Sequence, residues 1–167
     1  ELAGGPIADY LKRCPYFGGK GKEIRRLSVV DRVPSARARP HLSSMLFLQA
    51  TYAQGETAQI FLHVDLARGE EAASVRLAHP ESVIARLSIE GDESILYDGI
   101  YSPAHCEAVL DLISHRRKVR GDVGYVVGHA GKGMRKLLED KDISPSRALA
   151  PCRWMSSVAY GPSLVLK

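Results

Sequence analysis

Met45-Leu46-Phe47-Leu48-Gln49-Ala50-Thr51-Tyr52 and Thr57-Ala58-Gln59-Ile60-Phe61-Leu62-His63-Val64-Asp65-Leu66 are two runs rich in aliphatic and aromatic residues, separated by Ala53-Gln54-Gly55-Glu56. Side chains of this kind suit a pleated, half-buried surface, and the short polar linker with its glycine is a turn signal. The two runs are therefore expected to pair as an antiparallel hairpin, and a hairpin of this length implies a sheet built around it.

Working outward, Ile24 to Val33 reads as a further strand through Ile24, Leu27, Val29 and Val33, and Pro34 to Pro40 as an Arg- and Pro-punctuated connection. Ile7 to Phe17 reads as a short amphipathic helix with Ile7, Tyr10 and Leu11 on one face, ended by Pro15 and Gly18-Gly19. Beyond the hairpin, Ser82 to Glu90 and Ser94 to Tyr101 read as strands joined through Gly91-Asp92. Ser102-Pro103 then opens a helix with Ser102 as cap and Cys106, Val109, Leu110 and Ile113 along one stripe. Arg116, Arg117 and Lys118 near its end complement the helix dipole without needing a ligand. Tyr125 to Val127, Met134 to Glu139, and the closing strands Met155 to Tyr160 and Ser163 to Lys167, joined at Gly161-Pro162, complete the reading. These elements imply an α+β fold: a curved antiparallel sheet with packed helices.

Composition bounds the function classes. The chain has 167 residues, 45% hydrophobic and 25% charged, which is globular composition and enough for one sizeable core or two small ones. No apolar run reaches the length of a membrane span, and the opening residues lack the pattern of a secretory leader, so no membrane partner and a cytoplasmic location are expected. Cys14, Cys106 and Cys152 are odd in number and far apart, as expected of free thiols in a reducing compartment. The chain stops at Lys167 within an apolar strand pattern, and is therefore expected to be part of a longer protein.

Net charge is +4, distributed as basic, acidic, basic. Lys12 to Arg39 holds nine basic residues against Glu23 and Asp31, whereas Glu56 to Asp111 holds eleven acids against three bases. A small basic nucleic-acid-binding domain ranks last among the readings, because the basic stretches lack interleaved aromatics; no nucleic-acid partner is expected.

Few residues advertise chemistry. Gly18-Gly19-Lys20-Gly21-Lys22 and Gly128-His129-Ala130-Gly131-Lys132-Gly133 could cradle phosphate through free backbone N–H groups, yet neither has a Walker A pattern, and ordinary turns are favoured. His41, His63, His79, His105, His115 and His129 form no HExxH or HxH pair and read as structural. His105 and Cys106, adjacent on a helix, point to different faces, which argues against a thiolate-imidazole couple. Ser156-Ser157-Val158-Ala159-Tyr160-Gly161-Pro162-Ser163-Leu164-Val165-Leu166-Lys167 has the layout of a hairpin whose hydroxyls and strand-borne lysine could hold nucleotide phosphates.

Four stretches carry a resemblance. They are Tyr16-Phe17-Gly18-Gly19-Lys20-Gly21-Lys22 with Val29-Val30-Asp31; Ala50-Thr51-Tyr52-Ala53-Gln54-Gly55-Glu56; Leu96-Tyr97-Asp98-Gly99 through Pro103, Cys106, Ala108 and Leu110; and Ser156-Ser157-Val158-Ala159-Tyr160-Gly161 with Leu164-Val165-Leu166-Lys167. Together they resemble, in order, the N-terminal part of bacterial maltokinases, kinase-like enzymes that phosphorylate maltose with ATP and often occur fused to trehalose synthase. The resemblance implies a cystatin-like cap over residues 1–90 and the first part of a kinase-type N-lobe over residues 91–167, without the C-lobe. It implies that Lys167 binds the α- and β-phosphates and that Ser156 and Ser157 keep hydroxyls of the phosphate brace. Arg153, Trp154 and Met155 depart from the family's glutamine, serine and asparagine there. ATP, Mg²⁺ and maltose or a related sugar are implied for the full-length protein, with a trehalose synthase domain or subunit as partner. Within these residues no catalytic base or metal ligand is implied, and neither cofactor is expected to stay bound to this chain alone. The rival expectation is a non-catalytic interaction module of the same ancestry.

Overall fold

A computed structural model of the chain describes residues 5–14, 17–19, 21–35, 43–139, 145–149, 156–162 and 164–167. At its centre are β2 (Ser44–Tyr52) and β3 (Thr57–Arg68), paired antiparallel with Phe47 opposite Phe61 and Gln49 opposite Gln59. The expected hairpin is present, and it organises the rest. β1 (Ile24–Pro34) adds on the β2 side, while β5 (Asp92–Asp98) and β4 (Val83–Ile89) add on the other, giving an antiparallel sheet in the order β1-β2-β3-β5-β4. The division expected near residues 90–92 coincides with the tip of the β4–β5 hairpin. The sheet itself continues to Asp98, with β5 lying between β3 and β4.

Strand alternation gives this sheet two used faces. On one, Leu46, Leu48, Ala50, Tyr52, Leu62 and Val64 pack with Leu27 of β1 and with α1 (Pro6–Arg13), which contributes Ala8, Tyr10 and Leu11. Each large side chain buried here contributes roughly 1.5–3 kcal/mol. α1 is shorter than the expected Ile7 to Phe17. It ends where Cys14 turns extended at ψ 123°, because a residue preceding a proline is driven out of the helical region. On the opposite face, Val33 and Met45 meet Leu112 of α3 (Pro103–Ser114), with Val119 and Val126 of the ribbon β6 (Lys118–Arg120) and β7 (Tyr125–Val127) packed around them.

Three features depart from the expected elements. α2 (Gly69–Ala78) was not expected; it buries Ala72 and packs a half-buried Val75 against the same core, a stripe too narrow to announce the helix in sequence. The strand expected to run from Ser94 to Tyr101 ends at Asp98, and Gly99–Tyr101 form a single 3₁₀ turn. There the Ile100 N–H donates to the Asp98 carboxylate at 3.1 Å. The short strands β6 and β8 (Ser146–Ala148) are also additions.

α3 starts as expected, with Pro103 in its first turn and the Ser102 hydroxyl accepting the His105 N–H. At its other end the Arg117 N–H donates to the Leu112 carbonyl and the Arg116 N–H to that of Ile113, with Arg116 left-handed at φ 51°. This closure is of the Schellman type. Arg117 then pairs with Asp111 at 2.7 Å, so the basic cluster is part of how the helix stops.

The third sheet is β8, β9 (Val158–Tyr160) and β10 (Leu164–Leu166) in the order β10-β9-β8. α4 (Met134–Glu139) packs Met134 and Leu138 against its core. The expected starts of the closing strands, Met155 and Ser163, lie outside the described residues. The fold is α+β, and among the described residues no helix is long and apolar enough to cross a membrane.

Candidate functional site

Tyr160 fixes the position of the terminal hairpin. Its ring is fully buried with Val158, Cys106 and Leu110, and its hydroxyl donates to the Cys106 carbonyl on α3 at 2.7 Å. β9 also pairs with β8, and the Gly161 N–H donates to the Pro145 carbonyl. Held on three sides, the hairpin places Ser156 just before β9 and Lys167 just after β10 on the wall of one cavity of about 500 Å³. Ser157 is different. Its carbonyl accepts the Leu149 N–H, and it lines neither this cavity nor the neighbouring one.

The other walls of the cavity come from the beginning of the chain. Phe17, Gly18, Gly19 and Lys22 follow α1, and Tyr52 and Gln59 project from the central hairpin. Glycine is required at position 19, since a Cβ there would lie 2.4 Å from the Tyr52 hydroxyl and 2.5 Å from the Phe17 ring. Lys22 stands over the Tyr52 ring at 5.3 Å and forms an ion pair with Glu56 of the turn, which raises the lysine's pKa. The glycine-rich stretch that reads as an ordinary turn in sequence is thus brought to the same cavity as Ser156 and Lys167.

A second cavity of about 420 Å³ shares Ser156 and Lys167. Its walls are more apolar, formed largely by Met45, Leu112, Val126 and Leu166. His63 borders it and meets His105 through Nδ1 to Nε2, while the Nδ1 of His105 is within 2.7 Å of both the Ser35 and Ser43 hydroxyls. Burial pushes the His63 pKa down to about 4 and that of His105 down to about 3, so both rings are neutral at ordinary pH. This pair was missed in sequence. The two residues are 42 positions apart, and their meeting depends on packing α3 against β3.

The buried carboxylates Asp65 and Asp98 and the Cys106 thiol are committed to the fold. Asp98 accepts from the Tyr10 hydroxyl at 2.6 Å, and Asp65 from the Ser102 hydroxyl at 2.6 Å and the Leu66 N–H at 2.8 Å. Burial raises the Asp65 pKa in spite of these donors. The Cys106 thiol, pushed up to about 12 by burial, points to the Ile100 carbonyl. The second glycine-rich stretch has a packing role: a Cβ on Gly128 would sit 2.0 Å from the Leu112 carbonyl oxygen. Arg153, Trp154 and Met155 of the expected brace lie outside the described residues, as do Tyr16 and Lys20.

Chemically, the larger cavity is suited to an anion. Beside apolar walls from Leu11, Ile60 and Leu62 it offers the side chains of Lys22 and Lys167, the hydroxyls of Tyr52 and Ser156 and glycine backbone, and no acidic side chain lines it among the described residues. A triphosphate fits this donor set. Magnesium does not find ligands here, and among the described residues no three His, Cys, Asp or Glu side chains are grouped to hold a metal.

A search of curated proteins finds none that matches the chain. A family model does match: the maltokinase N-terminal cap domain, over residues 10–101, from Tyr10 in α1 to the 3₁₀ turn after β5. The match covers more than half of the 167 residues, and the chain belongs to the maltokinase N-terminal cap domain family.

Proposed function

We propose that this chain is the N-terminal cap and the beginning of the nucleotide-binding lobe of an enzyme that transfers a phosphoryl group from ATP to maltose, giving maltose 1-phosphate. In this reading Lys167 contacts the α- and β-phosphates, Ser156 supports them, and Ser157 holds the β8–β9 ladder beneath. The catalytic base and the magnesium ligands belong to a C-terminal lobe, so the chain by itself has no kinase activity. The observation that carries the reading is the convergence of Gly18, Gly19 and Lys22, from the cap, with Ser156 and Lys167 on one cavity that no acidic side chain lines among the described residues. Phosphoryl transfer is chiefly positioning and charge stabilisation, and this is where a cap would act on it. A trehalose synthase domain or subunit would supply the maltose, and the reading places the protein in the cytoplasm.

The test uses the longer protein that carries this chain, incubated with ATP, Mg²⁺ and maltose. Phosphorus NMR should show a sugar 1-phosphate that is lost in Lys167→Ala. Absence of product from folded protein would instead favour a non-catalytic interaction module of the same ancestry.

A further inference from the structure

Lys22, in the segment between α1 and β1, reaches across to Glu56 in the β2–β3 turn as a surface ion pair. Both side chains are substantially exposed, at 46% and 61%, and the hairpin itself is already held by the β2–β3 ladder. Exposed pairs of this kind are weak enough to be exchanged for a better anion, although Glu56 competes for the Lys22 ammonium while the pair is formed. What fixes its location is the Tyr52 ring beneath it and the adjoining Phe17-Gly18-Gly19 segment, which packs so closely on Tyr52 that only glycine fits at position 19. Lys22 is thereby held at the rim of a cavity whose other ammonium, Lys167, comes from the far end of the chain. Two lysines from opposite ends of the chain, with no acidic side chain among the described residues that line the cavity, fit a ligand carrying several negative charges along its length.

We propose that the cap itself is a polyphosphate-binding element: Lys22, stationed by Tyr52 and restrained by Glu56, exchanges its carboxylate partner for the phosphate chain of a ligand seated between the Gly18-Gly19 segment and Lys167. Glu56 then acts through Lys22 as an electrostatic latch, competing with the ligand for one ammonium group. The inference rests on the proposed nucleotide-binding role of the same cavity and extends it to residues of the cap. It also gives the glycine-rich segment two purposes: close packing on Tyr52 and a wall that admits phosphate oxygens near the backbone.

The test is calorimetric titration of the longer protein that carries this chain with inorganic tripolyphosphate and, in a parallel arm, with magnesium-free ATP. Lys22→Ala should weaken both on the order of fivefold, and Lys22→Arg should restore most of the loss. Glu56→Gln should tighten binding, and the double variant should match Lys22→Ala alone, because the latch acts only through the lysine. Tighter binding of ATP than of tripolyphosphate would identify the nucleotide as the source of the phosphate chain, and equal binding a free polyphosphate. Failure of tripolyphosphate to bind, or an unchanged affinity in Lys22→Ala, would overturn the inference. A double variant that still binds more tightly than Lys22→Ala would overturn the latch. Loss in Lys167→Ala with no loss in Lys22→Ala would sink this inference and leave the proposed function standing. The reverse pattern would remove Lys167 from the phosphate site and keep the cap in it. All the substituted positions are exposed side chains, so amide spectra should confirm an unchanged fold.

Discussion

At the scale of single residues, the structure turns on polar groups that are buried and satisfied. Ser35, Ser43, His105 and His63 form a continuous network that links both ends of the β1–β2 connection to α3 and β3. Both histidines have pKa values depressed below the ordinary 6.5, so the unfolded chain binds more protons than the folded one between about 6.5 and the folded values near 4 and 3. Stability is therefore expected to fall as pH drops from about 6.5 toward 4, with the loss saturating below the folded values. Urea midpoints measured across that range should show the decline, and His63→Gln should flatten it; an equal slope in the variant would exclude the pair as its cause. Gly128 poses a steric case. Alanine there would drive a methyl into the Leu112 carbonyl, at an expected cost of roughly 1–3 kcal/mol, read as a lowered urea midpoint. An unchanged midpoint would mean that the ribbon can shift away from α3.

Elements show which local signals are sufficient. The β2–β3 hairpin and α3 were legible because their cues are local and agree: period-two burial around a turn, and a serine cap followed by proline. α2 was not, because Ala72 and a half-buried Val75 make too narrow an apolar stripe to stand out, and β6 and β8 are too short to carry a pattern. The Ser102 cap does more than a local rule implies. Its hydroxyl accepts the His105 N–H and donates to Asp65, so Ser102→Ala should cost more than the roughly 1 kcal/mol of a lost cap. The excess, of about 1–3 kcal/mol, comes from a buried carboxylate deprived of a donor. A double-mutant cycle with Asp65→Ala, which removes the acceptor, would separate the two parts, and full additivity would show that the Ser102–Asp65 bond contributes nothing.

For the whole molecule, the order of strands matters more than their order in sequence. β5 lies between β3 and β4, so a chain ending at residue 90 would lose the strand that joins β4 to the rest of the sheet, along with the buried Ile95 and Tyr97. Such a truncated chain is expected to lack a cooperative thermal transition. A sharp transition, with dispersed amide resonances, would show that β4 can pair directly with β3. At this scale the candidate site also becomes visible. The Gly-Gly segment and Ser156 with Lys167 each read as an unremarkable turn or hairpin, and each is local information about a non-local site.

The α+β class, the central hairpin and the capped helix are written in side-chain periodicity, turn residues and capping, all of which act within a few residues, and the family is legible in motifs kept in order along the chain. That β5 intervenes between β3 and β4, that His63 meets His105 and that Lys22 shares a cavity with Lys167 emerges with folding alone. The reason is physical. Such contacts arise when apolar faces from distant parts of the chain are buried together, and the polar groups carried along with those faces are brought into register by packing rather than by any spacing written in the sequence.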